Sequence, residues 1–179
     1  MNKIKKIVSR IVRKGIFLLD GVNTKIYMKW YNLWLKNNGL KINGNAKYIN
    51  HTVILDGQGY YLIELGNDIV ISIGTIILVH DFAIETGFKA IGIENGSNEA
   101  HTMKKVTIGD NCFIGVHVVI LGGTQIGNNC IVAAGSVLPG KTYPDNSIIV
   151  GNPGKVVANT IEWAKKKRYL GEYEMGYFS

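Results

Sequence analysis

The sequence predicts an all-β domain, a parallel β-solenoid built from short strands and tight turns. Three observations support this prediction: a six-residue repeat, a high glycine content and a modest share of charged residues. Gly accounts for 22 of 179 residues, against a typical share of about 7%, while Pro occurs only three times. Hydrophobic residues make up 46% of the chain and charged residues 18%, which argues against disorder. The length suits one domain with its own core.

The repeat is clearest from residue 106, where the chain divides into the blocks VTIGDN, CFIGVH, VVILGG, TQIGNN, CIVAAG and SVLPGK. The third position of every block is aliphatic, and the first is small or β-branched. These positions are two apart, so on a strand both face the same side, and we predict that side to be the core. Gly or Asn near the end of a block suits a turn. Three blocks close a coil of about 18 residues, and stacked coils form the solenoid.

The six-residue spacing also occurs earlier, in two sets of three residues: Leu65, Ile71 and Ile77, and Ile42, Tyr48 and Ile54. After Ile77 the period disappears until Val106. We interpret residues 82–105 as a long loop excursion from the coil. An irregular segment of that length in a compact domain is usually functional or disordered.

The two cysteines, Cys112 and Cys130, are 18 residues apart and both occupy the small inward position of a block. We therefore expect them to stack on neighbouring coils, about 4.8 Å apart. No CxxC motif or histidine pattern accompanies them, so we interpret them as buried, space-filling thiols without a metal or redox role.

The net charge of +7 is concentrated at the N-terminus, because residues 1–47 hold eleven Lys or Arg and one acid. A nucleic-acid surface would spread positive charge over the folded body, so no nucleic-acid partner is predicted. Apolar residues follow helical spacing in two segments: Ile4, Ile7, Val8, Ile11 and Val12, then Tyr27, Trp30, Tyr31 and Trp34. Such segments suit either a helix on an anionic membrane surface or a helical cap over the open first coil. Both alternatives stay open.

Three segments follow from these patterns. Residues 1–39 form a basic amphipathic helical segment, residues 40–158 form the β-solenoid, and residues 159–179 form a short C-terminal helix that packs back on the coil. No run of about 18 apolar residues indicates a membrane span. A short apolar stretch after the basic start lacks the length and cleavage site of a signal peptide, so we predict a cytoplasmic location.

Three stretches, VTIGDNCFIG, IVAAGSVL and IIVGNPGKVV, resemble the hexapeptide-repeat acyltransferases, and the resemblance covers roughly residues 40–158. Within that family, ISIGTIILVHD is similar to bacterial O-acetyltransferases that modify sugars of surface polysaccharides. The resemblance implies a left-handed parallel β-helix, a homotrimer, acetyl-CoA bound between neighbouring coils, and a saccharide acceptor. It also implies a loop that reaches toward the neighbouring subunit and helps to form the acceptor pocket.

The same resemblance implies particular site residues. His80 stands where the family has its catalytic histidine, immediately before the loop. Val116 and Ala134 match positions that contact the pantetheine arm of coenzyme A. Lys155 matches a basic position near the nucleotide phosphates. Lys141 roughly matches a second such position, although PGKTYP is one residue longer than the usual motif.

The chemistry of imidazole supports a base at His80. A sugar hydroxyl attacks a thioester well only when a base removes its proton, and free imidazole has a pKa near 6.5. Asp81 or a backbone carbonyl would then orient the ring, although adjacent strand residues point to opposite faces. His51 and His117 share the phase of His80, and we interpret them as exposed corner residues. His101 is predicted to be a solvated loop residue.

The predicted function is acetyl-CoA-dependent O-acetylation of a saccharide by direct transfer, in surface polysaccharide biosynthesis, with possible peripheral contact at the inner membrane surface. An antibiotic-modifying acetyltransferase of the same fold is the alternative. A zinc hydrolyase of the γ-carbonic anhydrase type would need two His five residues apart within one coil, and no His-x4-His occurs. No metal is therefore predicted. A non-catalytic scaffold leaves His80 and the loop unexplained.

Overall fold

The structure is a computed structural model that describes residues 3–94 and 96–176, without the side chains of Lys3 and Lys6. Most of the predicted N-terminal and C-terminal segments fall within these ranges. The first two residues of the former and the last three of the latter lie outside them, as does Asn95 in the excursion.

Three parallel sheets form the faces of a coil. The first face contains β1 (Lys41–Ile42), β4 (Ile63–Leu65), β9 (Val106–Ile108), β12 (Gln125–Ile126) and β15 (Thr142–Tyr143). The second face contains β2 (Tyr48–Ile49), β5 (Val70–Ile71), β10 (Phe113–Ile114), β13 (Ile131–Val132) and β16 (Ser147–Val150). The third face contains β3 (Ile54–Leu55), β6 (Ile76–Ile77), β11 (Val119–Ile120) and β14 (Val137–Leu138). Every strand pair within these three sets is parallel, which confirms the predicted parallel coil.

The predicted core positions of residues 106–141 are all buried. The first and third residues of the six blocks are each at most 3% exposed: Val106, Ile108, Cys112, Ile114, Val118, Ile120, Thr124, Ile126, Cys130, Val132, Ser136 and Leu138. Cys112 and Cys130 are free thiols in adjacent coils, beside the register pair Phe113 and Ile131. The contact with Cys130 and burial raise the pKa of the Cys112 thiol, as suits a space-filling residue.

The predicted phase of the first coil is wrong by one residue. Tyr48 and Ile54 were expected to face the core, but Ile54 is 55% exposed and Tyr48 is only half-buried. Ile49 and Leu55 occupy the core instead, paired with Ile71 and Ile77. The shift arises because the turn after Ile42 is one residue longer than in the regular blocks, so the next inward residue comes seven positions later.

Asparagines turn the chain between the first and second faces. Asn111, Asn129 and Asn146 have φ angles of 53°, 57° and 61°, in the left-handed region that Asn tolerates better than most residues. Their amides stack: Nδ2 of Asn111 donates to Oδ1 of Asn129 at 2.9 Å, and Nδ2 of Asn129 donates to Oδ1 of Asn146 at 3.0 Å. This column keeps the coils of the second half in register.

Two N-terminal helices, α1 (Lys3–Phe17) and α2 (Thr24–Asn37), lie at the open end of the first coil. The hydroxyl of Tyr27 donates to the carbonyl of Ile49 at 2.6 Å. The Asn32 side chain donates to the carbonyl of Ala46 and accepts from the Ala46 amide, both at 2.9 Å. Helix α2 is therefore a cap on the first coil, one of the two roles predicted for this segment.

Helix α1 has a different environment. Its predicted apolar stripe faces solvent: Ile4, Ile7, Val8, Ile11 and Val12 are each between 48% and 67% exposed. The helix is held to α2 by Ser9, whose hydroxyl donates to Oδ1 of Asn38 at 2.8 Å and whose carbonyl accepts from Nε1 of Trp34 at 3.1 Å. None of the helices within the described ranges is long and apolar enough to cross a membrane.

The excursion leaves the third face after β6 and contains regular structure that the sequence analysis did not predict. Strands β7 (His80–Asp81) and β8 (Thr102–Met103) pair antiparallel at its base. Between them lies α3 (Ala83–Ala90), where the buried carboxylate of Glu85 accepts from the Ala100 amide at 2.8 Å. The excursion is thus a hairpin closed by a short helix.

The last coil ends in β17 (Lys155–Asn159), which pairs antiparallel with β16, and then α4 (Thr160–Leu170). Asn159 caps α4 by accepting from the Ile161 amide at 2.9 Å, and Gly171 ends it in the left-handed conformation. The helix is present as predicted. However, it buries none of its residues, so it does not pack back on the coil as expected.

Candidate active site

Asp56 and His80 form a pair where the chain leaves the third face. Asp56 follows β3, and His80 opens the excursion one coil further along. Oδ2 of Asp56 accepts hydrogen bonds from the backbone amides of Val79 at 3.1 Å and His80 at 3.2 Å, and it also contacts Nδ1 of the His80 ring. Its Oδ1 accepts from the Gln58 amide at 3.1 Å. The carboxylate is therefore held on both oxygens.

This environment keeps Asp56 ionised. Burial raises the pKa of the carboxyl, but the hydrogen bonds from Val79, His80 and Gln58 outweigh it, so the pKa lies below its ordinary value. An ionised carboxylate only accepts hydrogen bonds, so Nδ1 of His80 carries the proton that it shares with Asp56. The pair therefore fixes one ring tautomer, in which Nε2 is left with its lone pair.

The His80 side chain is 25% exposed, so its ring reaches solvent while Asp56 beneath it is buried. Among the described residues Nε2 has no hydrogen-bond partner. Phe82 packs edge-on against the His80 ring, with centroids 5.5 Å apart, and the His101 ring lies 5.0 Å from Phe82. Phe82 and His101 thus place aromatic rings beside the His80 ring. The unpartnered Nε2 of His80 can accept a proton from a bound hydroxyl.

Asp56 was not predicted from the sequence. Asp81 or a backbone carbonyl was expected to orient the ring, but Asp81 is exposed and its carboxylate accepts from the Ala83 amide at 2.7 Å, at the start of α3. The correct first-coil register pairs Leu55 with Ile77, which puts Asp56 directly beneath the residues that lead to His80. Because the predicted phase of the first coil was wrong by one residue, the sequence did not place Asp56 beside His80.

The remaining histidines are more exposed than His80, although His51 also contacts an acid whose side chain is buried. His117 is exposed at the corner between the second and third faces, with φ of 54°, and its ring covers Gly74. His51 is also exposed and contacts Asp20 at 2.7 Å. His101 is exposed in the excursion, as expected. Only His80 opens onto the excursion with a buried carboxylate behind it.

An open groove of about 1260 Å³ adjoins the Asp56–His80 pair. One wall is α1, the floor includes Trp34 and Tyr60, and the opposite wall is the third face from His51 to Gln58. Aromatic rings and hydrogen-bonding groups of this kind suit a polar ligand with flat apolar faces, such as a sugar. We call this space the His80 groove.

Two of the predicted cofactor residues lie together. Val116 and Ala134 are exposed on neighbouring coils at the corner between the second and third faces, and the carbonyl of Val116 accepts from the Gly135 amide at 2.8 Å. Gly115 allows this approach, because a Cβ there would lie 2.7 Å from the Ala134 nitrogen. Lys141 lies at the other corner of the third face, two coils beyond His80. Lys155 is exposed at the start of β17.

No group of three or more His, Cys, Asp or Glu in residues 3–94 and 96–176 is arranged to hold a metal ion.

Comparisons with known proteins agree with this architecture. Residues 105–139 match the family model described as "Hexapeptide repeat of succinyl-transferase". The repeat and the fold together confirm the resemblance to hexapeptide-repeat acyltransferases that the sequence predicted. A search of curated proteins found no match.

Three solved structures share the fold. A maltose O-acetyltransferase from Clostridium difficile 630 has 23% identity and a TM-score of 0.54, covering 86% of this chain and 87% of its own. A hexapeptide-repeat acetyltransferase from Vibrio cholerae O1 biovar eltor, complexed with acetyl-coenzyme A, has 18% identity and a TM-score of 0.58, covering 88% and 90%. A galactoside acetyltransferase in complex with coenzyme A has 21% identity and a TM-score of 0.53, covering 88% and 83%.

Proposed function

We propose that this chain is an acetyl-CoA-dependent O-acetyltransferase that transfers acetyl to a hydroxyl of a saccharide in surface polysaccharide biosynthesis. The observation that carries the proposal is the Asp56–His80 pair, with a free Nε2 facing a groove. The proposal includes a left-handed coil and acetyl-CoA contacts at Val116, Ala134, Lys141 and Lys155. The maltose and galactoside acetyltransferases of the same fold support a saccharide acceptor.

The proposed mechanism is direct transfer. Nε2 of His80 removes the proton from the acceptor hydroxyl as its oxygen attacks the thioester carbonyl, forming a tetrahedral intermediate. The carbon–sulfur bond then breaks, coenzyme A leaves, and the proton on His80 passes to the departing thiolate. Asp56 stabilises the imidazolium that forms between the two steps. No covalent enzyme intermediate is required.

Substitution of His80 by Asn tests the base. Asn keeps a polar side chain at the groove but cannot take a proton, so we expect the acetyl-transfer rate to fall by at least about 10²-fold. Binding of acetyl-CoA should change little, because the proposed contacts lie elsewhere. The rate is measured by thiol release from acetyl-CoA with a panel of saccharides, and binding by calorimetry.

His117→Asn is the matched control, since His117 is an exposed histidine at another corner and does not line the His80 groove. This variant should retain nearly the wild-type rate. If His117→Asn abolished turnover while His80→Asn did not, the base would lie at a different corner and the proposal would fail.

We further propose that the protein acts as a homotrimer in the cytoplasm, with peripheral contact at the inner membrane surface. The trimer is supported by exposed apolar side chains near the corner between the second and third faces, including Ile73 and Phe113, at 52% and 46% exposure. Membrane contact is supported by the exposed apolar stripe of α1, flanked by Lys5, Arg10 and Lys14.

A further inference from the structure

Two arginines of α1 line the same groove as His80. Arg10 and Arg13 are three residues apart on the helix, so their side chains share a face. Within the described part of the chain, neither guanidinium forms an ion pair with a carboxylate. The groove therefore carries two positive charges that the fold itself does not neutralise.

The position of Arg13 is set by surrounding rings. Its guanidinium lies 5.6 Å from the Phe17 ring centroid and 5.5 Å from that of Trp34, and it hydrogen-bonds to Tyr60. Its Nε is buried and has no hydrogen-bond partner among the described residues. A buried donor without an acceptor is costly, so Arg13 has unused hydrogen-bonding capacity beside the groove.

The carboxylate that lines the groove is bound elsewhere. Asp56 accepts from the amides of Val79, His80 and Gln58 and from the His80 ring. Since no ion pair among the described residues links Asp56 to Arg10 or Arg13, the guanidinium groups of α1 remain available to an anion from outside the protein.

We propose that the acceptor carries a phosphate or diphosphate group, and that Arg10 and Arg13 bind it while a hydroxyl of the attached sugar faces Nε2 of His80. Two guanidinium groups one turn apart suit a dianion, whereas one bidentate arginine is enough for a carboxylate. Tyr60 and Trp34 provide apolar surface for the sugar between the phosphate and the base. This inference rests on the proposed function, because it names the substrate class of the same groove.

The test compares acceptors that differ only in the anion: a glycosyl 1-phosphate, the methyl glycoside of the same sugar, and the methyl glycoside of its uronic acid. For Arg10→Gln and Arg13→Gln we expect KM for the phosphorylated acceptor to rise at least about tenfold, as for loss of a charged hydrogen bond. The kcat/KM for the neutral glycoside and the KM for acetyl-CoA should stay unchanged. Lys14→Gln, on the same helix but outside the groove, should match wild type.

Three outcomes would overturn the inference: equal effects of the arginine variants on phosphorylated and neutral acceptors, a larger effect with the uronic acid, or an effect on acetyl-CoA instead. Arg10 is exposed, so Arg10→Gln keeps the test informative if Arg13→Gln fails to fold. The acceptor is then supplied in two forms, as a glycosyl diphosphate free in solution and as the same group on a polyprenyl chain in vesicles. The form with the higher kcat/KM shows whether the natural acceptor is soluble or lipid-linked.

Binding of inorganic diphosphate, measured by calorimetry on the intact protein, separates this inference from the proposed function. If no saccharide is acetylated but diphosphate binds wild type and Lys14→Gln and not Arg10→Gln, the anion site stands and the acetyltransferase proposal fails. If acetylation occurs but diphosphate binds all variants equally, the anion site is wrong.

Discussion

The carboxylate of Asp56 determines what the His80 side chain can do. Its Oδ2 contacts the backbone amides of Val79 and His80 and the Nδ1 of His80. Its Oδ1 accepts from the Gln58 amide. A single buried residue therefore holds the backbone of Val79 and His80 and selects the ring tautomer. Gly59 permits this arrangement, because a Cβ at that position would collide with the Val79 side chain.

Asp56→Asn should separate the structural role of this residue from its electronic one. The Val79 amide, the His80 amide and Nδ1 of His80 all contact Oδ2, so an Asn whose oxygen takes that place keeps the three contacts and the ring tautomer. It lacks the negative charge that stabilises the imidazolium. We expect kcat to fall by at least about 10²-fold, with little change in KM for acetyl-CoA. The two constants are measured in steady state, and circular dichroism checks the fold.

Asp81→Asn is the control for that experiment, since Asp81 adjoins His80 in sequence but its carboxylate contacts only the start of α3. Asp81→Asn should leave kcat near that of wild type. If both variants lost activity equally, the orienting role would not belong to Asp56.

At the scale of the elements, α1 and α2 divide the two roles that the sequence left open. Helix α2 buries Tyr27, Tyr31 and Leu35 where it covers the first coil, whereas α1 exposes its apolar stripe. The spacing of apolar residues is similar in the two segments, so periodicity alone did not separate them. The difference is Asn32, whose side chain forms hydrogen bonds with both the amide and the carbonyl of Ala46 and so fixes α2 on the first coil.

Asn32→Ala should destabilise the protein strongly. The substitution leaves the amide and carbonyl of Ala46 without partners at a buried site, at a cost of about 1–3 kcal/mol for each group. We expect the free energy of unfolding in urea to fall by at least about 2 kcal/mol. Asn37→Ala, at an exposed position near the end of α2, should change it little. Equal effects of the two substitutions would contradict the role of α2 as a cap.

For the molecule as a whole, the sequence predicted the coil best where the repeat is regular. Every inward residue from Val106 to Leu138 was identified, because each block has the same length and each corner has a small or turn-forming residue. The first coil was misassigned, since one extra residue after Ile42 moves the side chains of β2 and β3 to the other side of the strand. His80 was identified from its place before the excursion, but Asp56 required knowledge of which residues stack between coils.

The assembly prediction belongs to the same scale. We expect light scattering to give a mass near three times 19.7 kDa. Ile73→Glu places a charge on the exposed apolar corner and should shift the mass toward one chain, whereas Val22→Glu, at a residue 81% exposed near the N-terminal helices, should not. A monomeric mass for the wild-type protein at working concentration would contradict the trimer.

The base of the excursion has a consequence for how such proteins diversify. The amide of Lys104 donates to the carbonyl of Val79 at 2.8 Å, so the points at which the chain departs from and rejoins the coil are in direct contact. A segment whose ends meet in this way can be exchanged for one of another length or composition without moving the strands on either side. The excursion can therefore be replaced by another segment, which would change the preference for the acceptor while the stacked coils keep their structure.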